Sequence, residues 1–178
     1  MKLYEILEKS YAESMTWQDY KDGHYGFFTI EDLKFALDIK RETFTTMQLQ
    51  YDLSDEFESL LENSKIVRVD YTQFLEGEHR QDNTENGRDT VFRILSTVAI
   101  EAGNKLKNEQ FDIVYFAAKE HQDQSKNTRK TLYPRIGKSL AKKLHMSCFC
   151  SSLNSPDVIT ILVKNLSPEA TLKLRSLI

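Results

Sequence analysis

The stretch from Thr84 to Lys143 gathers the residues best suited to chemistry. Its polar loop, Thr84-Glu85-Asn86-Gly87-Arg88-Asp89, runs directly into Thr90-Val91-Phe92-Arg93-Ile94-Leu95-Ser96-Thr97-Val98-Ala99. A loop that opens a helix beside a sheet presents backbone N–H groups with no intrahelical partner, and these can hold a phosphate-bearing ligand. Gly87 either lets a phosphate approach closely or supplies a positive φ before the helix. Asp89 reads most simply as the N-cap, where free N–H groups and the helix dipole favour a carboxylate. Further along, Arg129, Arg135 and Lys138 stand with Lys126, Lys130, Lys142 and Lys143 as the one basic feature of an acidic chain. Such a helix suits a phosphate-rich ligand or an acidic protein surface, or forms an ordinary solvated face.

The remaining reactive groups are sparse. Cys148 and Cys150 lie at i and i+2 in an expected strand, so they share one face and read as reduced thiols. A zinc site needs four ligands, and no second cysteine cluster exists. His24, His79, His121 and His145 are scattered without metal-ligand spacing, so no metal is expected. There is no Ser–His–Asp order, no paired-acid signature and no Walker-type loop.

The elements that must position these residues belong to one expected domain spanning residues 1–178, since roughly 100–200 residues make a domain. With 40% hydrophobic and 29% charged residues, the composition is that of a soluble globular protein. Net charge is −3, which leaves no overall basic field for nucleic acid or an anionic membrane. Aromatic residues do not interleave with the basic helix, so base stacking is not indicated either. No apolar run approaches the ~20 residues that span a bilayer. Acids are mixed into the first residues, unlike a secretory signal, which gives a cytosolic expectation.

Hydrophobic periodicity supplies the elements. Leu3, Ile6, Leu7, Tyr11 and Met15 form a helical stripe over Leu3 to Trp17. Extended segments are expected at Tyr25 to Thr29, Leu33 to Lys40 and Phe44 to Leu53, joined as an antiparallel meander. Ser54-Asp55 is placed to cap a short helix carrying Phe57, Leu60 and Leu61. Lys65 to Leu75 returns to strand, and Glu76 to Asp89 reads as one long polar loop, which its length makes a functional candidate. A buried helix over Asp89–Lys107 precedes a strand at Phe111–Ala118 that is apolar enough to be covered on both faces. The helix that follows carries Leu132, Ile136, Leu140 and Leu144, and Pro134 requires it to begin near Thr131 or to kink. Met146–Ser152 and Asp157–Lys164 read as strands, and Ser167-Pro168-Glu169-Ala170 starts a terminal helix. The strand–helix–strand unit over residues 65–118 calls for a parallel pair, so the sheet is mixed.

That order resembles the GNAT superfamily of N-acetyltransferases, whose central block is strand, phosphate-binding loop, helix, strand, helix and two strands. The resemblance implies a single α/β domain with a mixed sheet, two main helices, and further helices at the N- and C-terminal ends. It implies that Asn86, Gly87, Arg88 and Asp89 would hold the pyrophosphate of acetyl-CoA. Tyr133 would be the general acid toward the coenzyme sulfur, with Glu76 and Glu78 as the choice of base. The loop departs from the superfamily's Gln/Arg-x-x-Gly-x-Gly/Ala pattern, having one glycine followed by Arg88-Asp89-Thr90. Tyr133 is also followed by about three further helical turns, more than is usual there.

A second resemblance is to small proteins of tailed bacteriophages that share Gly-x-Asp-x-x-x-Arg-Val-Phe-x-Thr-Val, then Phe-Ser-Ala, then Ser-Arg-x-x-Leu-Tyr-x-Arg. Here the corresponding runs are Gly87-Arg88-Asp89 through Val98, Phe116-Ala117-Ala118, and Arg129 through Arg135, within about a third of the chain. This likeness implies a phage protein located in the host cytoplasm or the virion, and carries no activity with it. The combined expectation is a GNAT-like protein without catalysis or cofactor. It would act by binding another protein, host or virion, through Arg129, Arg135 and Lys138, as a virion component or as an inhibitor of a host system. Acyl-CoA-dependent N-acyl transfer is the alternative.

Overall fold

The computed structural model describes residues 9–51, 56, 59, 61, 63–75, 78–80, 88–118, 128–151, 158–164 and 167–177. These form a mixed α/β structure. The strands are β1 (Ser14–Tyr20), β2 (Gly23–Ile30), β3 (Leu33–Glu42), β4 (Ile66–Leu75), β5 (Glu78–Arg80), β6 (Ile113–Ala118), β7 (Ser147–Ser151) and β8 (Val158–Val163). The helices are α1 (Phe44–Tyr51), α2 (Arg88–Leu106), α3 (Thr128–Leu144) and α4 (Pro168–Leu177). Strand order is β1-β2-β3-β4-β6-β8-β7, with β5 on β4. The chain divides into two compact units, residues 1–40 with 69–109 and residues 41–68 with 110–178. No helix among the described residues is long and apolar enough to cross a membrane.

The first unit is built on an antiparallel meander of β1, β2 and β3, to which the expected segments Tyr25 to Thr29 and Leu33 to Lys40 contribute β2 and β3. Register pairs such as Trp17↔Gly26 and Phe28↔Phe35 put Phe28, Ile30, Phe35, Leu37 and Ile39 on one buried face. A Cβ at Gly26 would lie 2.4 Å from Met15 Cε and 3.0 Å from the Trp17 ring, so a side chain there would displace the end of Met15. Two residues, Glu31 and Asp32, close the β2–β3 hairpin with φ of 51° and 66°. Positive φ at both central positions gives the twist that a tight hairpin needs, normally supplied by Asn-Gly. The opening of α2 holds this turn, because Thr90 Oγ1 and the Arg93 guanidinium both donate to the Glu31 carboxylate. Most of α2 is buried, including Ser96 and Thr97. Their hydroxyls are satisfied by the chain before β1: Ser96 Oγ donates to Lys9 O at 2.8 Å, and the Tyr11 N–H donates to Thr97 Oγ1 at 2.8 Å.

The second unit carries antiparallel β6–β8–β7, with the start of β4 parallel to β6 over Ile66–Arg68 and Ile113–Tyr115. One side chain cluster joins Phe44 and Met47 of α1, Ile113 and Tyr115 of β6, Ile161 and Val163 of β8, and Leu174 of α4. Fully burying each such side chain contributes about 1.5–3 kcal/mol. On α3 the buried stripe is Ile136, Gly137, Leu140, Ala141 and Leu144. Gly137 sets how closely α3 seats, because a Cβ there would stand 2.5 Å from Thr160 Cγ2 and 3.0 Å from Cys148 Sγ. The end of α3 is a Schellman motif: Met146 N–H donates to Ala141 O at 2.8 Å and His145 has φ of 55°. Ser167 caps α4 through the Ala170 N–H at 3.0 Å, as its sequence signature indicates.

Five expectations are corrected. The helix over Leu3 to Trp17 gives way at Ser14–Tyr20 to β1, while residues 1–8 lie outside the described ones. Tyr11 and Met15, four apart, mimic a helical stripe, but Met15, Trp17 and Asp19 share one strand face. The strand at Phe44–Leu53 is instead α1, for Thr43 Oγ1 caps it at the Thr46 N–H and Phe44 and Met47 are buried three apart. Within the expected 76–89 loop, Glu78–Arg80 pair with β4 as β5. Asp89 is an exposed residue inside the first turn of α2 and not its N-cap, and α3 starts at Thr128 and continues through Pro134.

Two substitutions test this packing. His145→Gly, which removes a Cβ from a left-handed position, should raise stability in urea unfolding by about 1 kcal/mol. Gly137→Ala should lower it by about 1–3 kcal/mol, because overpacking against Thr160 and Cys148 outweighs the gain of up to about 1 kcal/mol in helix propensity.

Candidate functional site

The residues proposed from sequence are distributed over both units. Asn86 and Gly87 lie outside the described residues, Arg88 opens α2 with its side chain outside them, and Asp89 is exposed. Glu76 is also outside, and Glu78 enters β5 opposite Leu75 with its side chain not described. Arg129 and Tyr133 are in α3, and their side chains too are outside the described set. Arg135 and Lys138 are fully described and both exposed. Spaced i, i+3 and i+7, Arg135, Lys138 and Lys142 follow one face of α3, opposite the buried Ile136, Leu140 and Leu144. None of the three makes an ion pair with a described residue.

Sequence reasoning missed three other groups. In the second unit Glu42 ends β3 with its side chain only 3% exposed. Its carboxylate takes the Arg68 guanidinium at 3.1 Å and the hydroxyl of wholly buried Tyr115. Burying a carboxylate is tolerable only where charge and hydrogen bonds are supplied together, as here. A sequence signal existed, since Asp38, Lys40 and Glu42 continue the same face of an alternating strand. Nothing local marked Glu42 as the buried one.

In the first unit, Asp19 of β1 and His24 of β2 are register partners, with Nδ1 to Oδ1 at 2.6 Å. Lys105 of α2 donates to Asp19 at 2.9 Å and lies 5.2 Å from the Trp17 ring centre. The other His24 nitrogen meets the Glu109 carboxylate. Lys105, and after it His24, hold the Asp19 carboxyl below its usual value. Asp19 is 68% exposed, so solvent screens these interactions. A depressed carboxyl supports the fold above its unfolded value of 3.8 and loses that support as pH falls further. The two carboxylates occupy opposite ring nitrogens, and no His, Cys, Asp or Glu group among the described residues could hold a metal ion.

The third group is an aromatic ladder in the first unit. Tyr20 stacks on Tyr25 at 5.0 Å, Tyr25 on Phe27 at 6.3 Å, and Phe27 on Phe74 at 6.3 Å. Ala36, the register partner of Phe27, supplies a small side chain on β3, the strand between β2 and β4. Tyr25 and Phe27 remain 39% and 36% exposed. Burial, and then the hydrogen bond to Asp38 at 2.8 Å, push the Tyr20 phenol well above its ordinary value, so it stays a donor.

Tyr115→Phe should cost about 1–3 kcal/mol in chemical denaturation, having left a buried carboxylate short of a donor. Arg68→Met should cost more, about 3–5 kcal/mol, because it leaves that charge uncompensated. Equal, small losses would refute the shared burial. Compared with known proteins, the chain matches no protein-family model, no curated protein and no solved structure.

Proposed function

We propose that this chain is a non-catalytic, phage-type protein on a GNAT-like scaffold, acting in the host cytoplasm or virion by binding an acidic surface of another protein. The observation that carries this reading is the open basic face of α3. In a chain of net charge −3, Arg135, Lys138 and Lys142 are exposed together without ion pairs to described residues. Unneutralised like charges on one helix face repel one another and are relieved when an anionic surface docks. The helix behind them is fixed by Gly137, Leu140 and Leu144, so the charges are presented from a rigid support. The strand–helix–strand order with parallel β4 and β6 supports the scaffold comparison.

Arg135→Glu combined with Lys138→Glu should reduce capture of a stoichiometric protein from host or infected lysate by about tenfold or more, with folding unchanged. Retention should also weaken as salt rises. Unchanged capture by the double variant sinks the basic-face reading. Acyl-CoA-dependent N-acyl transfer makes a different prediction: millimolar acetyl-CoA would raise the melting temperature by binding the native state. We expect no such rise.

A further inference from the structure

His24 directs its two ring nitrogens at carboxylates from different elements. Nδ1 lies 2.6 Å from Asp19 Oδ1 across the β1–β2 ladder, and Nε2 contacts Glu109 Oε1 in the turn after α2. His24 and Glu109 are both mostly shielded, at 15% and 17% exposure. A neutral imidazole has a single N–H, so it can donate to only one of two ionised carboxylates, while its second nitrogen turns a lone pair toward the other. Both contacts coexist with the carboxylates charged only when the ring carries both protons.

We propose that the first unit contains a proton-operated latch, in which the His24 imidazolium fastens the turn after α2 to the β1–β2 hairpin and loosens its hold on Glu109 on losing a proton. The charged groups around the ring favour that direction of release. Asp19 lies beside His24 in the ladder and is also gripped by Lys105, so the neutral ring keeps its one N–H on Asp19. Glu109 then faces the lone pair. From β3 the register partner is apolar Ile39, while Asp38 is turned to Tyr20. The β1–β2 turn contributes exposed Lys21 and Asp22, and the end of α2 contributes Lys105 and exposed Lys107. Asp19 remains ionised well into acid because Lys105 and His24 both depress it, so the latch keeps its second anchor there.

The latched form binds one proton more than the released form, and linkage therefore makes the latch weaken as pH rises. Release would first affect the backbone that Glu109 terminates, where Lys107 N–H bonds Gly103 O at 3.1 Å and Glu109 N–H bonds Leu106 O at 3.0 Å.

Nitrogen-15 NMR of the intact chain tests this through the His24 ring and the Lys107 and Glu109 amides. On the acid side of the ring's titration, both ring nitrogens should carry protons while the contact to Glu109 holds. Amide exchange at Lys107 and Glu109, corrected for its intrinsic pH dependence, should accelerate in step with loss of the second proton. Glu109→Gln should abolish that coupling, and the melting-temperature difference between wild type and this variant should shrink toward about pH 9. A ring that never carries both protons in the folded chain, or amide protection unchanged through its titration, overturns the latch. Should Glu109→Gln fail to fold, the wild-type ring and amide measurements decide alone.

Discussion

A carboxylate taken out of water constrains the second unit more than any other single group. Glu42 is almost wholly enclosed, and an ionised acid in that position must be surrounded by donors or lose its charge. Arg68 and Tyr115 meet that demand from β4 and β6. The three side chains meet in only one alignment of these strands. A slip of one residue would turn Glu42 to the opposite face of the sheet and leave its charge without Arg68 and Tyr115. The ion pair is thus better understood as fixing register than as adding stability, since buried pairs often contribute little net energy.

The first unit meets a related demand through neutral groups. Its main helix sinks deeply enough to bury Ser96 and Thr97, whose hydroxyls must then find partners. Residues just ahead of β1 provide them with a carbonyl and an N–H. At the same end of the meander, the Glu31 side chain is held by the same helix, so a hairpin turn with two positive φ values persists without glycine. Tertiary contacts there override the local preference of the chain.

How much could be read in advance depended on whether the deciding partner was near in sequence. Phe35, Leu37 and Ile39 alternate, so β3 was plain. Ser167 lies three residues from the amide it caps, which made α4 equally plain. In Phe44–Tyr51 both periods were available, and the Thr43 cap with burial of Phe44 and Met47 decided for helix. The exposed cations of α3 follow from helical spacing alone. Glu42 with Tyr115, 73 positions apart, and His24 with Glu109, 85 apart, had no local signature, because only tertiary packing brings them together. Tyr133 and Glu76 were chosen by resemblance and the Asn86–Gly87 pair by its place ahead of a helix, and their side chains fall outside the described residues.

Pro134 gives α3 an uneven build. Lacking an N–H, it leaves the carbonyl of Lys130 without its usual helical acceptor role, six residues into the element. Everything beyond is pinned by Ile136, Gly137 and Leu140 against the strands. Ahead of the proline, the backbone ladder has one fewer rung to break. The proline thus divides what secondary structure alone describes as one rod, the missing backbone bond lying ahead of the residues that seat the helix.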